Sequence, residues 1–373
     1  MSRYGRIAAG RRTYVERLLS DGVQMKAIQI MAPDRLELTE MPSRPLRARE
    51  VRIAVAATCL CGSDLKNIGN PVLMPQVPGH EFSGVVVEVS TQARDTVRVG
   101  DRVTVFPMLT CMKCAECRRS RFRDCVHKLS LGFQLPGSFA EEVIVEWRQV
   151  IHLTDRLTYE QGALVEHLCC GYRLAKEIFG YQLPVDSHIV IIGDGPIALA
   201  DLQALRLFGH RNITLIGKHS LRMGMARKFG AARVLDLSEI DATTETKSLS
   251  LVDVIVMAAS ADETLNQLLC LLRPRSLVFP QTSIKRPSIL RYLKEAEIVL
   301  GRAFAYDIGD FTEMMDLIKG GKVDTESLIT NRIDLLELAE EFPTFRQKAN
   351  RLKTVIMNQR LNEICESYRS ATL

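Results

Sequence analysis

From Met25 onward the apolar positions come in short stretches that alternate or run together: Lys26–Ile30, Arg35–Glu40, Val51–Ala57, Phe82–Val89 and Arg102–Val105. Pro and charged residues separate them, and Gly79, Gly84, Gly100, Gly132 and Gly137 punctuate them as turns. This pattern predicts a strand-rich segment, interrupted by a cysteine-rich loop and resumed at Phe139–Val145. After about residue 155 the texture changes. His188–Ile192 reads as a buried strand, followed by a helical run to Phe208. Asn212–Ile216 is a second strand and Leu221–Phe229 a second helix. Arg233–Leu237, Val252–Ala258 and Ser276–Phe279 read as further strands with helical spacing between them. Strands alternating with helices predict a parallel sheet with crossover helices. Beyond about Ala303 come a helix (Phe311–Lys319), a Gly320-Gly321 turn, a strand (Leu328–Ile333), a helix (Leu335–Phe342) and a last strand (Lys353–Met357). No internal repeat or low-complexity tract is visible.

Length and composition narrow the class. The 373 residues suffice for two ordinary domains. A hydrophobic share of 46% and a charged share of 25% are those of a globular protein in water, and no apolar run reaches the roughly 18 residues that a membrane span needs. The net charge is +5, but residues 1–24 hold five arginines (Arg3, Arg6, Arg11, Arg12, Arg17) against Glu16 and Asp21. The body is therefore near neutral, which gives no reason to expect nucleic-acid binding. The Arg-rich start lacks the apolar core of a secretory signal; it reads as a disordered extension or an early start ahead of Met25, with an organellar transit peptide as an alternative.

Four of the ten cysteines fall within fifteen positions: Cys111, Cys114, Cys117 and Cys125. A loop of this kind can wrap one zinc ion in a closed tetrahedron of thiolates, with no open position for chemistry. Four thiolates on Zn²⁺ leave a formal charge of about −2, which Lys113, Arg118, Arg119, Arg121 and Arg123 could offset. Ligand-spaced cysteines in a long chain favour a reducing, cytoplasmic setting.

Two further motifs carry chemistry. Gly193-x-Gly195-Pro196-Ile197-Ala198 follows a strand and opens a helix, the context of a dinucleotide-binding turn. The first glycine permits the turn, and the second lets a pyrophosphate approach the helix N-terminus. At the end of the second strand, where NAD sites carry an acid, stand Gly217, Lys218 and His219, with Arg222 one turn on. A small residue followed by cations favours NADP(H) over NAD(H). Upstream, Cys61, with Ser63 and Asp64 behind it, and the pair His80-Glu81 offer a thiolate, an imidazole and a carboxylate, all competent zinc ligands. Downstream, Glu166 lies in an apolar stretch, where a carboxylate needs a partner and a metal would serve.

Taken together, these motifs resemble the zinc-dependent medium-chain alcohol dehydrogenases, of the sorbitol or polyol type, from about Met25 to the C-terminus. The resemblance implies an α/β chain: a GroES-like β-rich catalytic domain (25–180, with the structural zinc loop 111–125), a Rossmann doubly wound sheet (181–305) and a return to the catalytic domain (306–373). It implies two zinc ions per chain, with Cys61, His80 and Glu166 matching the catalytic ligands and Glu81 the neighbouring carboxylate that can exchange with water on the metal. Ser63 matches the hydroxyl that hands the substrate proton onward. The usual relay histidine is replaced by Lys66, and the Pro after the third ligand by His167; Cys169 and Cys170 are alternative ligands. The implied reaction is hydride transfer between a secondary alcohol (a polyol, sugar or aminocyclitol) and NADP(H), in a homodimer or homotetramer with no nucleic-acid or membrane partner. Weighed against it are a simple secondary-alcohol or threonine-type dehydrogenase using NAD, a member that has lost catalysis, and a zinc-ribbon nucleic-acid binder.

Overall fold

Runs of β-branched residues and a glycine-opened helix build two separate units in the computed structural model, which describes residues 24–68, 76–237, 250–302, 305–346, 350–358 and 361. The expected extension at residues 1–24 lies, but for its last residue, outside them.

The first unit takes the chain up to Glu166, then Asn331–Arg346 and Lys353 onward. Strands β1 (Gln24–Ala32) and β2 (Arg35–Pro42) pair antiparallel, Ile28 opposite Leu38. Ile28 and Ile30, two positions apart in β1, are fully buried as the alternation predicts, and Ala27 is buried with them. Strand β3 (Glu50–Cys59) is buried along almost its whole length, as the apolar run Ile53–Ala57 requires of a central strand, and Arg52 is buried with it. Around it form β4 (Glu81–Val89), β5 (Arg102–Val105), β8 (Glu142–Glu146), β9 (Val150–His152), β16 (Ile329–Asp334) and β17 (Lys353–Met357), in the order β16-β17-β3-β4-β5-β9, with β8 also on β3. The short pair β6 (Met108–Leu109) and β7 (Leu129–Ser130) brackets the cysteine loop. Helix α1 (Gly62–Asn67) follows β3, α2 (Ala115–Arg118) lies in the cysteine loop, and α3 (Tyr159–Phe179) leaves the unit.

The second unit, His167–Thr330 with Gln347–Leu352, is a six-stranded sheet ordered β12-β11-β10-β13-β14-β15. Its strands are β10 (Ile189–Ile192), β11 (Ile213–Gly217), β12 (Arg233–Asp236), β13 (Val252–Met257), β14 (Leu272–Pro280) and β15 (Val299–Leu300). All five pairings are parallel. Helices α4 (Pro196–Leu207), α5 (Ser220–Lys228), α6 (Asp262–Leu268), α7 (Pro287–Glu295) and α8 (Ile308–Lys319) alternate with or follow the strands. Val190, Ile192, Ile255 and Val278 pack one face of the sheet against Leu265, Ile289 and Leu293. The strand order reverses between β10 and β13, and the carboxyl ends of such strands are where open α/β sheets bind their ligands.

The observed split falls at Glu166 and Thr330, where the sequence reading puts boundaries near residues 180 and 305. Two elements also differ. Phe139 and Ala140 do not begin β8; they join β1, with Ile28 N donating to Phe139 O at 2.8 Å. The helix expected over Leu335–Phe342 is broken into a 3₁₀ turn, one α turn (Leu338–Glu341) and a second 3₁₀ turn, as Pro343 at its end cannot continue an α-helix.

Candidate functional site

Two groups of metal-competent side chains converge among the described residues: Cys111, Cys114, Cys117 and Cys125, and Cys61, His80 and Glu81, with ligand atoms within 4.8 Å of one another in each group. In the first, Sγ of Cys111 lies 3.9 Å from that of Cys117 and 3.6 Å from that of Cys125. A tetrahedron with 2.3 Å zinc–sulfur bonds has edges of about 3.8 Å, so the four sulfurs fit one zinc. Backbone N–H groups of Cys111, Cys114 and Cys117 point at the sulfurs of Cys125, Cys111 and Cys114 at 3.4–3.5 Å. The Cys117 N–H draws the Cys114 thiol down to about 6, while burial pushes Cys117 up to about 12.

The second group is built at the end of β3 and the start of β4, which pair so that Cys59 lies opposite Glu81. Cys61 caps α1. Asp64, three residues on, accepts from Cys61 N at 2.9 Å and from Gly79 N at 3.3 Å. Its Oδ1 is also 3.2 Å from His80 Nδ1. A carboxylate on Nδ1 fixes the ring and leaves Nε2 for a metal. Burial disfavours the imidazolium, but Asp64 and Cys61 outweigh it and hold the His80 proton well above the ordinary range; a cation at Nε2 would take that proton's place. Gly79 has φ +96°, and a Cβ there would lie 2.6 Å from Phe139 Cδ1 and Ser138 Oγ, so only glycine lets the backbone turn His80 into the site.

Glu81 is fully buried, and its Oε2 is bonded to the Lys353 ammonium of β17, itself 1% exposed. Burial lowers the hold of Lys353 on its proton, and the adjacent Glu81 charge outweighs it, so the lysine pKa is raised. Ser63 Oγ donates to Cys61 Sγ at 3.1 Å and lies 3.3 Å from His80 Nε2, so the structure brings it to the same point. Lys66 is exposed on α1. Glu166 lies within the 21-residue α3 and is buried. Neither it nor Cys169 or Cys170 belongs to the group of converging ligand atoms.

In the second unit, β10 runs into Gly193 (φ +119°), where a Cβ would meet Ala259 at 2.9 Å. Gly195 caps α4, Pro196 is its first residue, and a Cβ at Gly195 would meet nothing within 4 Å. An open backbone at the start of a 12-residue helix fits a pyrophosphate. At the end of β11, Lys218 is exposed, whereas Arg222 is buried, donating to Arg351 O at 2.9 and 2.6 Å.

With this geometry in view, residues 47–155 match the alcohol dehydrogenase GroES-like domain. Sorbitol dehydrogenase of Bacillus subtilis is 29% identical over 324 residues, covering 83% of this chain and 90% of that protein. D-arabitol-phosphate dehydrogenase of Enterococcus avium is 29% identical, covering 89% and 97%. The chain belongs to the medium-chain alcohol dehydrogenases, in their sorbitol and polyol dehydrogenase-like branch. The fold agrees: galactitol-1-phosphate dehydrogenase of Escherichia coli superimposes with a TM-score of 0.78 at 23% identity, over 89% of this chain and all of that one. This medium-chain dehydrogenase is therefore an oxidoreductase acting on CH–OH donors. The sequence assigns no role to Asp64 and does not single out Lys353. Asp64 stands at the capping-box spacing from Cys61; nothing local marks Lys353.

Proposed function

We propose that this dehydrogenase moves a hydride between a secondary alcohol of polyol, sugar or aminocyclitol type and NADP(H), at a zinc site built on Cys61 and His80. The observation that carries the reading is the convergence of Cys61, His80, Glu81 and Ser63 on one point, with Asp64 and Lys353 behind them. Zinc there would supply a Lewis acid that lowers the pKa of a bound alcohol toward neutrality. Cys61 and His80 would hold it, with Glu81 beside it and Glu166 as the acid that the resemblance supplies. Asp64, 3.2 Å from His80 Nδ1, sets a negative charge against the side of the ring away from Nε2. Ser63 Oγ, within 3.3 Å of two of these groups, is placed to accept the hydroxyl proton and pass it outward. Lys66, exposed on the same helix, would take the place of the usual relay histidine.

The nicotinamide dinucleotide would lie with its pyrophosphate on Gly193–Ile197. Gly217, Lys218, His219 and Arg222 support a 2′-phosphate, and hence NADP(H). A second zinc at Cys111–Cys125 would be structural. The family resemblance supports a homodimer or homotetramer, and the ligand-spaced cysteines support a cytoplasmic setting; no helix among the described residues is long and apolar enough to cross a membrane. The relatives named for sorbitol and arabitol phosphate favour a polyol-like substrate over a simple secondary alcohol or threonine.

The test is a panel of polyols, aminocyclitols, simple alcohols and threonine, followed at the nicotinamide absorbance with NAD and NADP in parallel. Turnover of a polyol-type substrate with NADP, lost in Cys61→Ser, supports the proposal. A clear preference for NAD, or full activity in Cys61→Ser, refutes the corresponding part.

A further inference from the structure

The end of β11 carries no acid, yet a carboxylate is there. Asp194, between Gly193 and Gly195, reaches across from the turn after β10. Its Oδ2 accepts from Lys218 N at 2.8 Å and from His219 N at 2.7 Å. His219 Nδ1 lies 3.0 Å from Oδ1 and 2.9 Å from Oδ2, and the Arg222 guanidinium lies 3.8 Å from Oδ1. A Cβ built on Gly217 would sit 2.7 Å from Asp194 Cβ and 3.0 Å from Oδ2. The Asp194 side chain therefore fills the volume that any side chain at 217 would need. Gly193 N also donates to Ile216 O at 2.8 Å, tying the two turns together.

This arrangement bears on both kinds of cofactor. Backbone N–H groups ahead of a helix are natural donors to a phosphate, and two of those ahead of the nine-residue α5 are already taken by Asp194. Two of the cations read as phosphate ligands, His219 and Arg222, face a carboxylate already present. Lys218 alone of the three is exposed, with no side-chain partner among the described residues. Oδ1, whose neighbours are one ring nitrogen and one distant guanidinium, keeps acceptor capacity.

Resting on the dinucleotide site proposed above, we infer that Asp194 is a specificity-determining residue: it supplies from the glycine-rich turn the acid that β11 lacks, accepts a hydrogen bond from an unphosphorylated adenosine ribose, and limits the preference for a 2′-phosphate that Lys218 confers. A ribose 2′-hydroxyl donates to Oδ1, whereas a 2′-phosphate meets Lys218 but is repelled by Asp194. The chain thus tolerates NAD(H) beside NADP(H), and the two side chains set the ratio.

The experiment measures dissociation constants of NAD⁺, NADP⁺, ADP-ribose and 2′-phospho-ADP-ribose by calorimetry for the full-length wild-type chain, Asp194→Asn, and the double variant Asp194→Ala/Gly217→Asp, with kcat/KM ratios alongside. Asp194→Asn is expected to shift the affinity ratio toward the 2′-phosphorylated ligands by about ten- to a hundredfold, the scale of a lost hydrogen bond to a charged group. The double variant, with its acid returned to β11 and the collision at 217 removed, is expected to regain NAD⁺ and ADP-ribose binding. Equal weakening of both ligand classes in Asp194→Asn, or an unchanged ratio, overturns the inference and leaves a merely structural role. A double variant that binds 2′-phosphorylated ligands better than Asp194→Asn does also overturns it. A wild-type chain that binds none of the four overturns the dinucleotide site itself, a result distinct from either.

Discussion

Asp64 Oδ1 lies 3.2 Å from His80 Nδ1, and the carboxylate that makes this contact is fully buried and also holds the backbone N–H of Cys61. One side chain therefore aims both of the residues proposed to hold the catalytic metal. Asp64→Ala is expected to weaken zinc at that site by about ten- to a hundredfold, with the four-cysteine site unaffected. Zinc retained per chain after dialysis against a graded chelator is the measurement. Two sites that both titrate as in the wild type would show that Asp64 does not orient the ligands.

The Lys353–Glu81 pair is buried on both sides. Lys353→Met leaves a carboxylate in the core with its cation removed, a change that costs about 3–5 kcal/mol. Denaturant unfolding should show it, and Lys353→Met/Glu81→Gln should recover much of the loss. A single variant as stable as the wild type would mean that water reaches Glu81.

Removing one thiol of the cysteine loop should separate the two metal groups. Cys114→Ser is expected to lose the zinc proposed for that loop and to unfold at lower temperature while the zinc proposed at Cys61 and His80 is kept. Elemental analysis with a melting curve checks both halves. Loss of all zinc together would show that the groups are not independent.

Asp201 on α4 is fully buried, with Gln281 Nε2 on its Oδ1 at 2.9 Å. Burial pushes its carboxyl up to about 8, with the Gln281 bond only partly offsetting. In the unfolded chain the group titrates at about 3.9. Between those values the folded form keeps a proton that the unfolded form has lost. Stability is therefore full below about pH 4 and falls as pH rises toward 8, by up to about 1.4 kcal/mol per pH unit. Asp201→Asn should remove that slope and gain stability near neutrality. Urea midpoints at about pH 5 and about pH 7.5 compare the two chains; equal slopes would place a different charge state in the core.

Much of this was legible because the signals are local. The four cysteines, the Gly193–Ala198 turn after an apolar strand, and Cys61 ahead of His80 each declare their chemistry within a few residues, and β5 and β17 fall where their apolar runs place them. Helix α3 was not legible as a helix. Gly162 and Gly171 interrupt its pattern, yet Gly171 serves packing: its Cβ would lie 2.5 Å from the Ala200 backbone of α4. That is why the apolar stretch around Glu166 carries no clear period, although the residue is buried mid-helix. Lys353 was invisible for another reason, since a lysine opening a strand is unremarkable until the strand lands beside Glu81. Asp194 was hidden between two glycines, and only the register of β10 against β11 shows what it reaches.

The place of β17 in its sheet, between β16 and β3, also sets a schedule for a newly made chain. Glu81 and Lys353 are 272 residues apart. At about 5–20 residues per second, the ribosome delivers the lysine roughly 14–54 seconds after the glutamate. Through that interval the nascent first unit has an unfinished sheet edge at β3 and an acid with no cation to bury against. The intervening second unit, whose sheet is drawn from contiguous chain, can fold meanwhile. The end of β3 that leads to Cys61 thus matures last, and chains stalled before residue 353 are the ones a chaperone or protease would meet.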